Sequence, residues 1–303
     1  MISNASETIA SPARLNRVTL RKTVVACAVL AALLVLTIVL MSLLGSEPLP
    51  LRASLCALAS FGMSPCGLSQ DQFDILFQIR LPRILLAAAV GGSLATAGAG
   101  YQALLRNPLA EPYLLGISNG AAVGTMIALV FFGAVEWTRP ILAFSGALVA
   151  TFAVYRLARG RAGATPERLI LAGVIVTTFL SSVIVFVTVM MDATRIRSFT
   201  FWLLGDLSGA SKALLPVTII VAIAGALALT LNARSLNLLM LGERDAFDLG
   251  VEVGRVRIVV FLVASLLVGS SVAASGSVGY VGLVVPHLAR LSLGSDNRIS
   301  IPA

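Results

Sequence analysis

Apolar residues gather into eight stretches of this chain, with the polar residues falling between them. The first runs from Thr23 to Leu44, and the others cover 84–105, 114–134, 140–158, 169–191, 213–232, 257–275 and 278–293. Each lies near the roughly 20 residues that a helix needs to cross hydrocarbon, the last being shorter. The pattern predicts an all-α integral membrane protein, a polytopic helical bundle of about eight spans. Its parts would be an N-terminal tail over 1–22, a membrane domain over 23–293 and a C-terminal end over 294–303. The first stretch is longer than a signal-peptide core, and no small-residue cleavage site closely follows it. It reads as a retained span with the N-terminus in the cytoplasm.

Composition agrees with that reading. The chain is 58% hydrophobic and 12% charged, against roughly 25% charged in soluble domains. Its net charge of +8 comes from basic residues standing singly between apolar runs, so it serves topology rather than nucleic-acid binding. With the N-terminus inside, 15 basic residues face the cytoplasm, among them Arg14, Arg17, Arg21 and Lys22, and 7 face outward. Reversing the chain would invert the positive-inside rule.

Several stretches carry more specific expectations. The second span contains Gly91 to Gly100, GGSLATAGAG, whose small residues let helix backbones approach closely and place it inside the bundle. The run that follows holds Gln102, Arg106, Asn107, Pro108, Glu111 and Pro112. Two prolines in five residues stop a regular helix. The run is either an inner-end element of a translocation path or a plain inter-helix turn. The outer loop over 46–80 contains Cys56 and Cys66, either bonded across a small loop or left as two unpaired apolar residues. The outer segment 192–212, with Phe199, Phe201 and Trp202, has the character of an interfacial helix.

The longest late polar interruption is 234–257. Glu243, Asp245, Asp248 and Glu252 balance Arg234, Arg244, Arg255 and Arg257. Gly242 and Gly250 divide it into two short helical pieces, with Gly250 suited to the position just after a helix end. Such a segment reads as a docking surface on the cytoplasmic side.

Absences narrow the chemistry. No GxxxxGK[ST] phosphate loop, HExxH or GxSxG motif occurs in the sequence. Leu207 to Ser211, LSGAS, resembles the signature of ABC ATPases but falls on the outer side, away from ATP. Gly276, Gly279 and Gly282 do not form a nucleotide fingerprint, and their spacing suits helix packing. His287 is the single histidine, and Cys27, Cys56 and Cys66 form no CxxC, so no metal site is expected. The spans are nearly free of charge, unlike those of ion-coupled transporters, so the energy for transport would come from a partner ATPase. The chain itself is expected to be no enzyme and to bind no cofactor, with ATP and Mg on the partner.

Specific motifs then resemble a known family. They are RLPR at 80–83, QALLRNPLAEPYLLG at 102–116 with Ser118, Asn119 and Gly120 after it, and Leu171-Ala172-Gly173. FWLLGDLSGAS at 201–211, LGERDAFDLGV at 241–251 and GYVGLVVPHLAR at 279–290 complete the series. Together, in this order, they resemble the iron-chelate and vitamin B12 permease family (FecCD), the membrane subunits of type II ABC importers. The resemblance implies ten spans per subunit and a dimer with a second permease copy or a paralogue. It also implies two ABC ATPase subunits docked inside and a substrate-binding protein docked outside, in the inner membrane of a bacterium. Coupling helices of that family align with 236–252, which assigns ATPase coupling to Leu241, Gly242, Glu243, Arg244, Asp245, Ala246, Asp248, Leu249 and Gly250. Arg80 and Arg83 align with arginines that meet acidic residues of the binding protein. The expected cargo is a ferric siderophore, with vitamin B12 and haem as alternatives; a secondary transporter or a truncated non-transporting relic are the competing classes. The family pattern continues for about two spans beyond PHLAR, whereas this sequence stops at Ala303, as a fragment or as one of two complementary polypeptides would.

Overall fold

The computed structural model describes residues 20–132, 137–160, 163–208 and 214–303. Residues 1–19 of the N-terminal tail, Arg161, and 209–212 with the end of the LSGAS motif lie outside the described residues. Where they are described, all eight apolar stretches are mainly helical. The first is α1 (Leu20–Leu43), followed by two short helices, α2 (Leu51–Ala59) and α3 (Gln70–Asp74). Ser69 starts α3 with a reciprocal cap, its hydroxyl accepting from Gln72 N while the Gln72 side chain accepts from Ser69 N. The helix then runs through a wider π-helical stretch at Ile75–Arg80 into α4 (Leu81–Leu104).

A 3-10 turn at Pro112–Leu115 leads into α5 (Ile117–Ile127), itself prolonged by a π-helical stretch to Phe132. The chain continues through α6 (Thr138–Ala158), the two-residue strands β1 (Arg159–Gly160) and β2 (Gly163–Ala164), and α7 (Pro166–Met190). The strands pair antiparallel, Arg159 opposite Ala164. Then come α8 (Ala193–Leu204), α9 (Leu214–Leu231), α10 (Ala233–Leu241) and α11 (Glu243–Asp248). The described chain ends with α12 (Val253–Ser275), α13 (Val281–Leu293) and α14 (Asn297–Ser300). Among the described residues six helices are long and apolar enough to cross a membrane, and two apolar helices, Ile117–Phe132 and Val281–Leu293, are shorter. This is an all-α polytopic membrane fold.

The core forms around α4 and α12. Each buries 56% of its most apolar window inside the bundle, whereas α1 buries none of its own. The small residues of α4 explain this: a Cβ on Gly98 would lie 1.9 Å from the Gly282 carbonyl, so α4 and the start of α13 touch backbone to backbone. Tyr101, fully buried, reaches α12 through a 2.6 Å hydrogen bond between its hydroxyl and Ser265 Oγ, and its ring meets Phe261 edge-on. The small-residue run therefore lies inside, as expected from the sequence.

The two cysteines between α1 and α4 are bonded to each other, Cys56 to Cys66 with Cα atoms 5.9 Å apart. The bond closes a small satellite core of Ala57, Leu68 and Leu76. In α8 the aromatic residues divide: Phe199 (2% exposed) and Trp202 (7%) turn into the bundle, while Phe201 (54%) faces out. A helix expected to lie at an interface is thus anchored by one aromatic face.

Candidate functional site

The segment after α9 builds a surface rooted at one point. In α10, Ala233, Leu236 and Leu239 recur at helical spacing and are buried, fixing the face that packs inward. Gly242, at φ 144°, ends α10 and starts α11 in a conformation few side chains tolerate. Gly250, at φ 84°, closes α11: Gly250 N donates to Phe247 O and Val251 N to Ala246 O, both at 2.9 Å. Between these two breaks Ala246 is fully buried, while Phe247 and Leu249, with Leu241 just before Gly242, are more than half exposed beside exposed Arg244, Asp245 and Asp248. The surface is thus an apolar ridge with a mixed-charge border.

Its root is Glu243. One carboxylate oxygen, Oε1, takes Arg257 Nη2 at 2.5 Å and Arg106 Nη2 at 3.4 Å. Arg257, in the second turn of α12, is the one charged side chain in the buried class among the described residues. Without a carboxylate its charge would be strongly unfavourable there. Arg106 lies 137 residues from Glu243 in sequence, in the turn after α4. It has φ 50°, a left-handed conformation that usually falls to glycine. The position follows from the helix end: Asn107 N donates to Gln102 O at 3.1 Å and Arg106 N to Ala103 O at 3.3 Å, the paired bonds of a Schellman motif.

The rest of that turn continues inward. Asn107 Oδ1 accepts from Leu109 N at 2.9 Å, folding Pro108 over the helix end. Glu111 Oε1 accepts from Tyr280 N at 3.0 Å, capping the start of α13. Pro112 packs against Gly282. The Tyr113 hydroxyl donates to Val278 O at 2.7 Å and accepts from Val278 N at 2.9 Å, so the non-helical backbone between α12 and α13 is satisfied by protein. Gln102 Nε2 reaches the Leu283 carbonyl at 3.3 Å, and its Oε1 accepts from Arg290. All six residues singled out between 102 and 112 therefore belong to one connected structure joining the α10–α11 surface to the middle of the bundle.

Two features were not singled out from sequence. Arg257 and Tyr113 stood inside recognised stretches without a role; an arginine among the first residues of an apolar helix was the available signal for Arg257. Between α6, β1, β2, α11 and α12 lies a cleft of about 610 Å³ lined by Tyr155, Arg159, Glu243, Arg244, Phe247 and Arg257 among others. A further tie joins α10 to α14. Asn237 Nδ2 donates to Asp296 Oδ1 at 2.6 Å, and the Arg298 guanidinium, bonded to the same carboxylate, holds Asp296 down at about 2.

At the opposite end, Arg80 and Arg83 have separate surroundings. The Arg80 guanidinium donates to the Ser42 and Leu43 carbonyls at 3.5 Å each and to the Glu47 carbonyl, satisfying the open end of α1. Arg83 is exposed. Asp206 is held below the usual carboxylate range by its hydrogen bonds from Ser208, with the charges of Arg83 and Arg139 adding to the effect.

The chain is similar to known proteins along most of its length. Over 240 residues the chain is 40% identical to the cobalamin import system permease protein BtuC of Halobacterium salinarum, covering 78% of this chain and 64% of that protein. It is 38% identical to the hemin transport system permease protein HmuU of Yersinia pestis over 235 residues, 76% of this chain and 70% of the other. The chain thus spans about two thirds of the length of the curated relatives it matches. A solved chain assigned to a metal-chelate type ABC transporter, in an inward-facing conformation, superposes with a TM-score of 0.79 at 29% identity, covering 91% of this chain and 84% of that one. Residues 28–303 match the FecCD transport family, and the chain belongs to it.

Proposed function

We propose that this chain is a membrane permease subunit of an ATP-driven importer for a large metal chelate. It lies in the inner membrane of a bacterium with its N-terminus in the cytoplasm. The observation that carries the reading is the α10–α11 surface: an apolar ridge of Leu241, Phe247 and Leu249, bordered by Asp245 and Asp248, projecting from an ionic root anchored on the buried Arg257. Exposed apolar side chains with balanced charge suit a partner that meets them by paired contacts. Two ABC ATPase subunits, carrying ATP and Mg, are the partners that fit, with a second permease copy or paralogue completing the path and a substrate-binding protein on the outer face. Arg83, exposed beside Asp206, is the better placed of the two outer arginines to meet that protein, because the Arg80 guanidinium already caps α1.

For cargo, cobalamin stands first, supported by the name of the Halobacterium relative, with haem supported by the Yersinia one. A ferric siderophore remains within the same substrate class. The test is co-expression with the ABC ATPase encoded nearest to this chain. The wild-type chain should retain the ATPase through purification, and Asp245→Lys with Asp248→Lys should weaken retention by about tenfold or more, since like charges across an interface cost several kcal/mol. Equal retention by both would remove the docking role from α11.

A further inference from the structure

Glu243 holds two arginines that belong to different parts of the bundle. Arg257 is on α12, one of the two most buried helices, and Arg106 is on the turn whose far end, Glu111, caps α13. That turn is short and internally bonded through Asn107, so it moves as a unit. We propose that Glu243 is a positioning residue that grips Arg106 and Arg257 together, making the α10–α11 surface, the turn after α4 and the start of α12 one body. A displacement of α11 then reaches Tyr280 N and Val278 through Glu111 and Tyr113, in the connector between α12 and α13. The inference rests on the docking role proposed for α11.

The charges settle which bond carries the load. Arg257 is buried, and its bond to Glu243 is the shorter one, so it is the bond that holds α11 to α12. Arg106 is about one third exposed at its side chain, at a longer distance, and its pair adds little to stability. A bond of small static value, added where α10 and α12 already pack on α4, has its consequence in how the turn and α11 move together. The left-handed backbone of Arg106 sharpens the distinction: glycine would suit that backbone better, so what the arginine supplies there is its side chain.

This gives a variant in which folding and coupling separate. Arg106→Gly keeps the helix end, relieves its backbone and removes the clamp; Arg106→Lys restores a cation. Spin labels at Leu109→Cys and Glu252→Cys, both exposed and off the apolar ridge, in a Cys27→Ser background, report the distance between the turn and the end of α11 in the complex with its ATPase. In the otherwise wild-type protein and in Arg106→Lys, the distance should be the same without nucleotide and with ATP–vanadate. In Arg106→Gly, with an unchanged or higher thermal midpoint, the vanadate-trapped peak should separate from the nucleotide-free one. Glu243→Gln should show the same separation. Identical distances in Arg106→Gly and the wild type, in both states, would overturn the clamp. A wild-type chain that fails to hold the ATPase would instead overturn the docking role itself, and the clamp with it.

Discussion

A single methyl group is already too large at Gly98. Helix propensity predicts that a glycine in mid-helix gains up to about 1 kcal/mol on replacement by alanine. At Gly98 packing reverses the sign, because the new carbon would lie 1.9 Å from the Gly282 carbonyl and 2.8 Å from its Cα, both backbone atoms unable to turn aside. Gly91, on the same helix, has nothing within 4 Å of a built Cβ. We therefore expect Gly98→Ala to lower the thermal midpoint of the detergent-solubilised protein, by an overpacking cost of about 1–3 kcal/mol. Gly91→Ala should leave it unchanged or raise it. If the two variants behave alike, α4 and α13 do not touch as described. The contrast also shows what the sequence could not settle: GGSLATAGAG marks α4 as a helix that others approach, but not which glycine meets which neighbour.

Among the elements, the broken ones are the most informative. Sequence periodicity places apolar segments over 114–134 and 278–293, and both are helical, yet α5 begins only after a 3-10 turn and α13 is 13 residues long. Hydropathy sums over a window and is blind to whether its backbone is continuous. What stops these helices is local chemistry. Pro112 and the left-handed Gly116 bound the 3-10 turn, and Gly276, whose Cβ would lie 2.2 Å from the Trp202 carbonyl, ends α12. The prolines and glycines were visible in the sequence; their bonding partners, 165 residues away for Tyr113 and Val278, were not. The same limit applies to Arg106 and Glu243, each singled out separately, whose contact depends on the tertiary fold. Tyr113 tests the account of the break. Its hydroxyl satisfies both polar groups of Val278, so Tyr113→Phe leaves a part-buried N–H and carbonyl without that partner. The expected loss is about 1–3 kcal/mol in stability, read by thermal unfolding. A Phe variant as stable as the wild type would mean that the connector between α12 and α13 is held by other contacts.

At the scale of the whole molecule, two unrelated properties support the proposed orientation. The ends of α4, α6, α9 and α12 that gather around α10–α11 carry Arg106, Arg156, Arg159, Arg234, Arg255 and Arg257, whereas the other end carries fewer basic residues, Arg80, Arg83 and Arg139 among them. The cytoplasmic side collects such charge. The second property is the Cys56–Cys66 bond, which lies in the loop between α1 and α4, at the sparsely charged end. Disulfides persist outside the reducing cytoplasm. Charge bias acts during insertion and disulfide chemistry afterwards, so their agreement is not one observation counted twice. The orientation is tested with a membrane-impermeant maleimide on spheroplasts in a Cys27→Ser background, where the bonded cysteines do not react. Met63→Cys, between α2 and α3 and strongly exposed, should label at once, while Phe247→Cys should label only after the membrane is permeabilised. The reverse pattern would place α11 outside, where there is no ATP, and would leave its apolar ridge without the partner that its shape and charge fit.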